Sequence, residues 1–330
     1  MNNNTNFFIG LDVHSRNTSY AVRTWQGDII LEGECSSMYR DLKAALQSYF
    51  HSCVVGIEAC TSFYPLRKGF IEDNVQVKVA NVLRMRQLVV KNDRLDALRL
   101  SDMLRLGTFP ESYIPDKEIQ TLRNLVSLRH SSLEELNKVQ CRIWALLQRE
   151  GIKLPSRSIF SKKGLAHLKE ITEMESCPLD LKHLYPHYEY LAAKLQQSTD
   201  GMILYASNTF PKEFLALQAI DGIAKIIASY VIAEVCPVSR FISKKKLRRY
   251  AGVVPCFQES GGKSYGSMLP KYSSRRLLRW VLTQAAHCAT RKKESKLRLY
   301  YERKKTKGKQ KAKMAIARAI CDLVYYKLNS

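Results

Sequence analysis

The sequence predicts a mixed α/β domain at the amino end, a helical, coiled-coil middle and a basic, mainly α-helical carboxy-terminal domain. Three observations support this order. Short β-rich segments alternate with helical segments over residues 6–104. Apolar residues then recur at three- and four-residue steps from about residue 116 to residue 150, as a long amphipathic helix requires. The last third combines helical periodicity with a large basic excess, so we place the domains at residues 1–112, 113–208 and 209–330.

Length and composition are those of an ordinary globular protein. The 330 residues suffice for two or three compact units, and 45% of them are hydrophobic and 25% charged. No apolar run reaches the ~20 residues of a membrane span, and the start, MNNNTNFFIG, lacks the regions of a secretory signal. The nine cysteines form no CxxC pair and lie singly in apolar contexts, which predicts buried, reduced thiols in the cytoplasm.

Basic charge is concentrated in the last third of the chain. Residues 211–330 carry 27 Lys and Arg against 7 Asp and Glu, so they hold +20 of the net charge of +23. Such a region repels itself unless it binds a polyanion, and nucleic acid is favoured over an anionic membrane because no strongly amphipathic anchor accompanies the charge. The run 291–313, with twelve basic and two acidic residues and with Tyr300 and Tyr301 for stacking, is expected to bind phosphate backbone without sequence specificity.

The amino-terminal segments predict a sheet covered by helices. β-rich pieces within residues 6–35, separated by polar turns, indicate a three-stranded antiparallel meander. The elements that follow are a helix at 40–50, a buried strand at 53–59, a helix at 63–72, a strand at 76–81 and a helix within 89–104. The order β-β-β-α-β-α-β-α indicates a mixed sheet flanked by helices.

Helices dominate the rest of the chain. A looser helical stretch at 181–197 follows the long helix, with Pro186 at a start or kink, and the two provide either dimerisation contacts or ordinary core. Residues 217–235 resemble a helix–turn–helix with Gly222 in the turn, and also a helix–hairpin–helix with Ala224 in place of its second glycine. The elements predicted after it are a basic stretch at 243–255, a loop at 258–267, a helix at 275–293 and a Lys-rich loop before a closing helix.

Four carboxylates are candidates for a metal site. Asp12 ends the first strand, Glu58 ends the first strand after the meander, and Asp93 and Asp96 begin a later helix, about 60° apart around its axis. If the first and fourth strands are neighbours, the four converge at one sheet edge. Close carboxylates repel, so such a cluster needs protons or a divalent cation, and all-oxygen ligands favour Mg²⁺ or Mn²⁺. Ordinary alternatives remain open, because Asp93 can cap its helix and acidic residues are common in a first helical turn.

A resemblance to the DEDD transposases of insertion sequences rests on four segments in the same order: FIGLDVHS, VVGIEAC, KNDRLDALRLSDML and YAGVVPCFQESGGK. It covers nearly the full chain, and the family includes Piv-type DNA invertases and bridge-RNA-guided recombinases. The resemblance implies a RuvC-like (RNase H-like) amino-terminal domain in which Asp12, Glu58, Asp93 and Asp96 hold Mg²⁺ against a scissile DNA phosphate. It also implies a carboxy-terminal domain with a nucleophilic serine, Ser260.

Ser260 lies in the sequence QESGGK. A Gly-Gly pair lets backbone N–H groups approach a phosphate, and Lys263 adds charge. On the residues alone this is also a plain hairpin loop, and no hydrolase triad or GxSxG motif accompanies it. The resemblance implies that Ser260 attacks DNA and becomes joined to it, assisted by the Mg²⁺ site, in a composite site built from one or two protomers.

The stretch after the serine departs from the family pattern. It lacks the glycine of the usual turn and has Leu278 where an arginine is common, whereas Arg279 matches. Arg275 and Arg276 are expected to substitute in phosphate contact. The residues predicted to contact nucleic acid are Gly261, Gly262, Lys263, Lys271, Arg275, Arg276, Arg279, Lys244, Lys245, Lys246, Arg248 and Arg249.

Together these features predict a DNA recombinase or transposase of an insertion sequence in a prokaryotic cytoplasm, associated with the nucleoid. It is expected to bind donor and target DNA and a structured noncoding guide RNA, to work as a homodimer or tetramer, and to exchange strands through a phosphoserine at Ser260. Three alternatives stay open: a Piv-like site-specific invertase, a RuvC-like metal-dependent nuclease that uses water, and a nucleic-acid-binding protein without catalysis.

Overall fold

The structure, a computed structural model of the chain, describes residues 5–60, 62–81, 85, 93–153, 159–260, 263–268, 275–306 and 308–330. The chain forms two compact units, Met1–Ile114 and Pro115–Ser330. The first unit ends within two residues of the predicted α/β domain. The helices of the 113–208 stretch lie in the same unit as residues 209–330.

The amino-terminal unit has the predicted order of elements, β-β-β-α-β-α-β-α. A 3₁₀ turn (Gln47–Ser52) follows its first helix. The elements are β1 (Phe7–Val13), β2 (Asn17–Thr24), β3 (Ile29–Ser36), α1 (Tyr39–Leu46), β4 (Cys53–Glu58), α2 (Phe63–Glu72), β5 (Gln76–Ala80) and α3 (Asp93–Arg105).

These strands form one mixed sheet in the order β3-β2-β1-β4-β5. β2 pairs antiparallel with both β1 and β3, which confirms the meander, and β4 runs parallel to both β1 and β5. The first and fourth strands are therefore neighbours, as a carboxylate cluster at one edge requires.

Alternation along β1 gives the sheet two different faces. Ile9 and Leu11 are fully buried in the main core of the unit, together with residues of α1 and α2. Phe8, Gly10 and Asp12 belong to the opposite face, which α3 covers. The face that carries Asp12 is thus the face on which the acidic helix lies.

α3 lies so close to the sheet that glycine is required beneath it. A Cβ on Gly10 would lie 2.1 Å from the carbonyl oxygen of Ala97 and 2.6 Å from the amide nitrogen of Ser101. A Cβ on Gly56, which pairs with Gly10, would lie 2.8 Å from a methyl carbon of Leu104. The glycine pair therefore sets the height of α3 over β1 and β4, and with it the position of the start of the helix.

In the part that the structure describes, the second unit is mainly helical and contains one two-stranded hairpin. Its elements are α4 (Lys117–Arg149), α5 (Lys162–Glu173), α6 (Leu179–Thr209), α7 (Pro211–Gln218), α8 (Lys225–Val235), α9 (Lys244–Tyr250), β6 (Cys256–Ser260), β7 (Lys263–Met268), α10 (Arg276–Arg291), α11 (Lys296–Lys305) and α12 (Lys309–Asn329). A short 3₁₀ turn (Val238–Arg240) precedes α9.

α8 is the central helix of this unit. Its residues 228–235 are all buried, as expected for a helix that is apolar on every side. α4, α6, α7 and α10 pack around it. The predicted helix–turn–helix at 217–235 is confirmed, with Gly222 at φ +92° in the turn between α7 and α8.

Alternatives stood open for two segments of the second unit, and one prediction there was wrong. Pro186, expected at a start or a kink, does not begin a helix but lies inside α6, where the neighbouring Tyr185 and Tyr188 are buried and packing sustains the helix through the proline. The stretch at 258–267, predicted as a loop with a plain hairpin loop as one interpretation, contains most of the paired strands β6 and β7. The Lys-rich stretch was wrongly predicted as a loop: it is mostly helical, since Lys and Arg favour helices, and Gly308 at φ +109° separates α11 from α12.

Cysteine burial follows the prediction only in part. Cys53, Cys236 and Cys321 are buried, but Cys141 and Cys288 are exposed on α4 and α10. The apolar residues next to a cysteine in the sequence do not show whether the cysteine lies on the buried or the exposed face of its helix.

Among the described residues, no helix combines the length and the apolar character that crossing a membrane would require.

Candidate functional site

Asp12 and Glu58 lie side by side at the carboxyl edge of the sheet. The parallel register pairs Gly10 with Gly56 and Leu11 with Ile57. Asp12 and Glu58 are the next residues of the two strands. Residues two apart on a strand share a face, so both carboxylates belong to the face that α3 covers. The sequence prediction that these two acids meet at one edge agrees with this register.

α3 begins over the same edge. Arg23, which pairs with Phe8 near the amino end of β1, donates a hydrogen bond from Nε to Ser101 Oγ over 3.2 Å. Earlier in the helix, Ala97 lines a small cleft with Ser19, which pairs with Asp12. α3 therefore runs from the carboxyl end of β1 towards its amino end, and its first turn lies at the edge that carries the acids.

Asp12 is a buried carboxylate, with only 5% of the residue exposed. His14 Nε2 lies 3.3 Å from its Oδ2. Burial is the main cause that raises the pKa of the nearby Cys60 thiol, and the negative charges of Glu58 and Asp12 raise that pKa further. A buried carboxylate beside a second acid is costly unless a cation or hydrogen-bond donors compensate it.

The donor set at this edge fits a hard divalent cation, because its acids offer only oxygen ligands. Among the side chains that the structure describes, no three His, Cys, Asp or Glu residues lie close enough to hold a metal ion. Asp96 accepts a hydrogen bond from Arg99 Nη1 over 3.1 Å, and the side chain of Asp93 lies outside the described part. The four-carboxylate metal site therefore stays a prediction, with two of its members adjacent.

The candidate nucleophile lies on a β-hairpin. β6 and β7 pair antiparallel, and Ser260 pairs with Lys263 at one end of the ladder. The side chains of Ser260 and Lys263 lie outside the described part, as do the whole of Gly261, Gly262 and Lys271. Ser260 is thus the last residue of β6.

Two of the arginines predicted to contact nucleic acid have carboxylate partners within the chain. Arg275 donates to the buried Glu234 from Nε over 2.7 Å and from Nη2 over 2.9 Å. Arg248 on α9 makes a two-bond pair with Asp322 on α12. The side chains of both arginines are thus held by intramolecular ion pairs in this structure.

Other predicted contacts lie at the surface. Lys245, Lys246 and Arg249 on α9 are exposed, and Arg276 is exposed at the start of α10. Lys244 donates to Tyr326 Oη over 2.6 Å and lies over its ring. The half-buried Arg279 lies one turn into α10. These cations surround α9 and the start of α10, the helices that flank the hairpin in sequence.

Sequence reasoning missed Glu234 and His14. The signal for Glu234 was available, because one acid within the apolar run IIASYVIAEV must have a partner if the helix is buried. His14 follows Asp12 by two residues, and nothing in this spacing predicted that the two side chains would lie in contact.

Comparison with known families gives two matches along the chain. Residues 9–151 match the DEDD transposase model of the IS110 group, and residues 215–302 match the model described as "Transposase IS116/IS110/IS902 family". The chain belongs to the IS110 family of DEDD transposases. The first match of this IS110-family chain spans Asp12, Glu58, Asp93 and Asp96, and the second spans Ser260. A DEDD transposase domain implies an RNase H-like fold, with which the mixed five-stranded sheet is consistent.

One relative of this IS110-family chain is a protein of Sinorhizobium fredii (strain NBRC 101917 / NGR234). It carries the name "Putative transposase y4qE" and is 23% identical to the chain over 266 residues. The alignment covers 77% of the chain and 64% of the relative, so the chain spans less than two thirds of that protein's length.

Proposed function

We propose that this IS110-family chain cleaves and rejoins DNA strands as an RNA-guided recombinase of an insertion sequence. The observation that carries the proposal is the placement of Asp12 and Glu58 side by side at the edge where α3 begins. The family match supports the choice of residues, because it spans both of them as well as Asp93 and Asp96.

The four carboxylates would hold Mg²⁺ or Mn²⁺ at this edge. The ion would supply positive charge for the scissile phosphate and for the leaving oxygen. Asp12 and Glu58 contribute oxygen ligands from adjacent strands, and the hydrogen-bonded register fixes their spacing. Asp93 and Asp96 contribute theirs from the first turn of α3, whose height over the sheet depends on Gly10.

Ser260 is the nucleophile of the proposed reaction. Its Oγ attacks the phosphorus of a phosphodiester, and an O–P bond forms as the bond from phosphorus to one deoxyribose oxygen breaks. The serine proton passes to a base or to water, and the released deoxyribose oxygen takes up a proton. In rejoining, a deoxyribose hydroxyl of another strand attacks the phosphoserine, and Ser260 leaves and regains its proton. Each half exchanges one phosphoester for another, so no outside energy source is needed.

Exposed cations of the second unit supply affinity for nucleic acid. Residues 211–330 hold +20 of the chain's charge, and contacts to phosphate carry no sequence information by themselves. Recognition of the target DNA sequence then requires another component, and the family resemblance supports a structured noncoding RNA in that role. The same resemblance supports a dimer or tetramer as the working assembly.

The proposal is tested by trapping a covalent protein–DNA adduct. Wild type, Ser260→Ala and Asp12→Asn are incubated with Mg²⁺, labelled DNA from the element's ends and RNA transcribed from its noncoding flanks, and then run on a denaturing gel. Ser131→Ala and Asp28→Asn are matched controls, because both residues are exposed. We expect an adduct in wild type and in both controls, none in Ser260→Ala, and at least a 100-fold loss in Asp12→Asn.

Other outcomes identify the alternatives. Free cleaved DNA that persists in Ser260→Ala indicates a nuclease that uses water. Binding of DNA without Mg²⁺ and without cleavage indicates a nucleic-acid-binding protein that lacks catalysis. An adduct that forms equally well without RNA contradicts guidance by RNA.

A further inference from the structure

The segment that contains the serine hairpin is closed at its base by a backbone hydrogen bond. Tyr250, the last residue of α9, precedes β6, and Arg275, the residue before α10, follows β7. The amide of Arg275 donates to the carbonyl oxygen of Tyr250 over 2.9 Å. We call these two residues the hairpin base, since every residue of β6 and β7 lies between them.

One buried glutamate joins both residues of the hairpin base to the core. Glu234 lies in the last turn of the central helix α8, and only 3% of it is exposed. Its carboxylate accepts two hydrogen bonds from the Arg275 guanidinium, over 2.7 and 2.9 Å, and a longer one of 3.4 Å from Tyr250 Oη. The carboxylate thus contacts the chain on both sides of the hairpin.

The charge of Glu234 makes this contact specific. A buried carboxylate is costly without a partner, and the planar guanidinium of arginine matches both of its oxygens. Burial alone would lower the pKa of Arg275, but the hydrogen bonds to Glu234, together with the charges of Tyr250 and Glu234, outweigh burial and raise that pKa. Lysine at position 275 would keep the positive charge but could not make both hydrogen bonds in the same plane.

Neighbouring contacts hold the glutamate and the hairpin base in place. Arg240 donates from Nη2 to the backbone oxygen of Glu234 over 2.5 Å, and its guanidinium lies 4.8 Å from the centre of the Tyr250 ring. Arg318 on α12 donates to the carbonyl oxygen of Val253, between Tyr250 and β6, over 3.2 Å. The base is therefore attached to rigid helices at several points.

We propose that Glu234 is a positioning residue, which through Arg275 and Tyr250 aims the hairpin and thereby places Ser260 for attack on DNA. This inference rests on the proposed function and adds to it a residue that contacts neither substrate nor metal. It also gives Arg275 a role at the hairpin base, while its predicted phosphate contact stays a prediction.

The distance from the start of the hairpin to Ser260 explains why the orientation of the hairpin base matters for the reaction. A strand rises about 3.3 Å per residue, so Ser260, four residues along β6 from its start, lies roughly 13 Å from the beginning of the hairpin. A rotation of only about 4° at that end moves the serine by about 1 Å, and a misplacement of that size can cost a reaction about 100-fold. Loss of one of the two hydrogen bonds between Arg275 and Glu234 permits such a rotation.

The test compares variants that alter this pair with one that alters a matched pair elsewhere in the unit. Glu234→Gln removes the negative charge but keeps the shape of the side chain. Arg275→Lys keeps the positive charge but removes the guanidinium that makes two hydrogen bonds. The double variant Glu234→Gln/Arg275→Gln restores a neutral hydrogen-bonded pair. Thr199→Val is the control, because it removes the hydrogen bond by which the buried Arg129 joins α4 to α6.

Three quantities are measured on the full chain: the rate constant for the Ser260 adduct at saturating DNA and Mg²⁺, the Kd for DNA, and hydrogen exchange of β6 and β7. We expect Glu234→Gln and Arg275→Lys to lower the rate constant 10- to 100-fold, to leave the Kd within twofold and to speed exchange in the hairpin. The double variant is expected to regain at least a fifth of the wild-type rate. Thr199→Val is expected to lower the melting temperature while rate and hairpin exchange stay within twofold of wild type.

The inference is overturned if Glu234→Gln matches wild type in rate and in hairpin exchange. It is also overturned if Thr199→Val slows the adduct as much as Glu234→Gln does, since loss of stability then explains both. A wild type that forms no Ser260-dependent adduct contradicts the proposed function and is recognised before any variant is compared. In that case hydrogen exchange decides whether Glu234 holds the hairpin, and unchanged exchange in Glu234→Gln rejects it.

Discussion

Gly10 and Asp12, two residues apart on β1, have complementary roles at the acidic edge. Asp12 contributes a buried carboxylate, and Gly10 lets α3 approach closely enough to bring its first turn to the same edge. Neither role needs a long side chain or a flexible loop. The position of the candidate metal ligands is therefore set largely by close packing of one helix on two strands.

Replacing Gly10 with alanine is expected to displace α3. The added Cβ would lie 2.1 Å from a backbone oxygen, which cannot move without the helix. Overpacking of this kind costs about 1–3 kcal/mol, and denaturant-dependent hydrogen exchange of β1 and β4 should show the loss. Gly201→Ala is the control, because nothing lies within 4 Å of a Cβ there; in the exposed interior of α6 it should stabilise the helix by up to about 1 kcal/mol. Equal effects of the two substitutions would contradict this account.

Thiol reactivity is expected to divide the cysteines by burial. Burial raises the pKa of Cys53, Cys236 and Cys321 to about 12, so these thiols stay protonated and shielded at neutral pH. Cys141 and Cys288 are exposed and should react with a maleimide at least 100-fold faster. Mass spectrometry of timed labelling measures each rate. Fast labelling of Cys236 in the folded chain would mean that α8 is not the buried core helix.

At the scale of elements, ion pairs join helices that the chain order separates. Asp221 in the turn between α7 and α8 accepts a hydrogen bond from Lys292, at the end of α10, over 2.6 Å. Glu234 on α8 holds Arg275 before α10, and Arg248 on α9 holds Asp322 on α12. Each pair connects the central part of the unit to helices near the carboxyl end.

The Asp221–Lys292 pair predicts that the stability of the second unit depends on pH in the acidic range. Hydrogen bonds from Lys292 and Ser295 lower the pKa of Asp221. A carboxyl with a lowered pKa stabilises the fold above its unfolded pKa of about 4, and this contribution is lost as the pH falls through the folded pKa. Asp221→Asn should therefore lower the urea midpoint of the second unit at pH 7, and the difference from wild type should shrink towards pH 3. A difference that is constant with pH would exclude the ion pair as its cause.

Much of the amino-terminal fold could be predicted, because period-2 strands and polar turns mark the meander and buried strands mark β4 and β5. The order of the sheet then brought Asp12 and Glu58 together without any knowledge of side-chain packing. The contact between Arg275 and Glu234 could not be predicted in the same way. Glu234 is 41 residues earlier in the chain, and only tertiary packing brings the two residues together. A hairpin loop was one interpretation of the Ser260 segment, whereas the helical Lys-rich stretch was missed because its charged composition outweighed weak periodicity.

At the scale of the whole molecule, charge is divided unevenly along the chain. Residues 211–330 hold +20 of the net +23, so the second unit carries the surface that attracts polyanions. The acidic edge, by contrast, belongs to a unit with nearly balanced charge. Binding and the proposed metal chemistry thus depend on different parts of the sequence.

Salt dependence of DNA binding should report this basic surface. If eight phosphates are neutralised, the plot of log affinity against log salt has a slope of about −7. Replacing the exposed Lys309 and Lys311 with glutamine should reduce the slope by about 2. Lys169→Gln/Lys182→Gln is the matched control, since those exposed lysines lie outside the basic third. An equal change of slope in the control would mean that net charge, and not this surface, governs binding.

The most direct test of the account measures divalent cation binding at the acidic edge. Mn²⁺ binding is followed by electron paramagnetic resonance in a Ser260→Ala background with duplex DNA present, so that no strand is cut. Adding Asp12→Asn or Glu58→Gln should weaken Mn²⁺ binding at least tenfold, and adding Asp28→Asn, an exposed acid of the same unit, should leave it unchanged. Equal Mn²⁺ affinity in all four proteins would contradict a metal site built on Asp12 and Glu58.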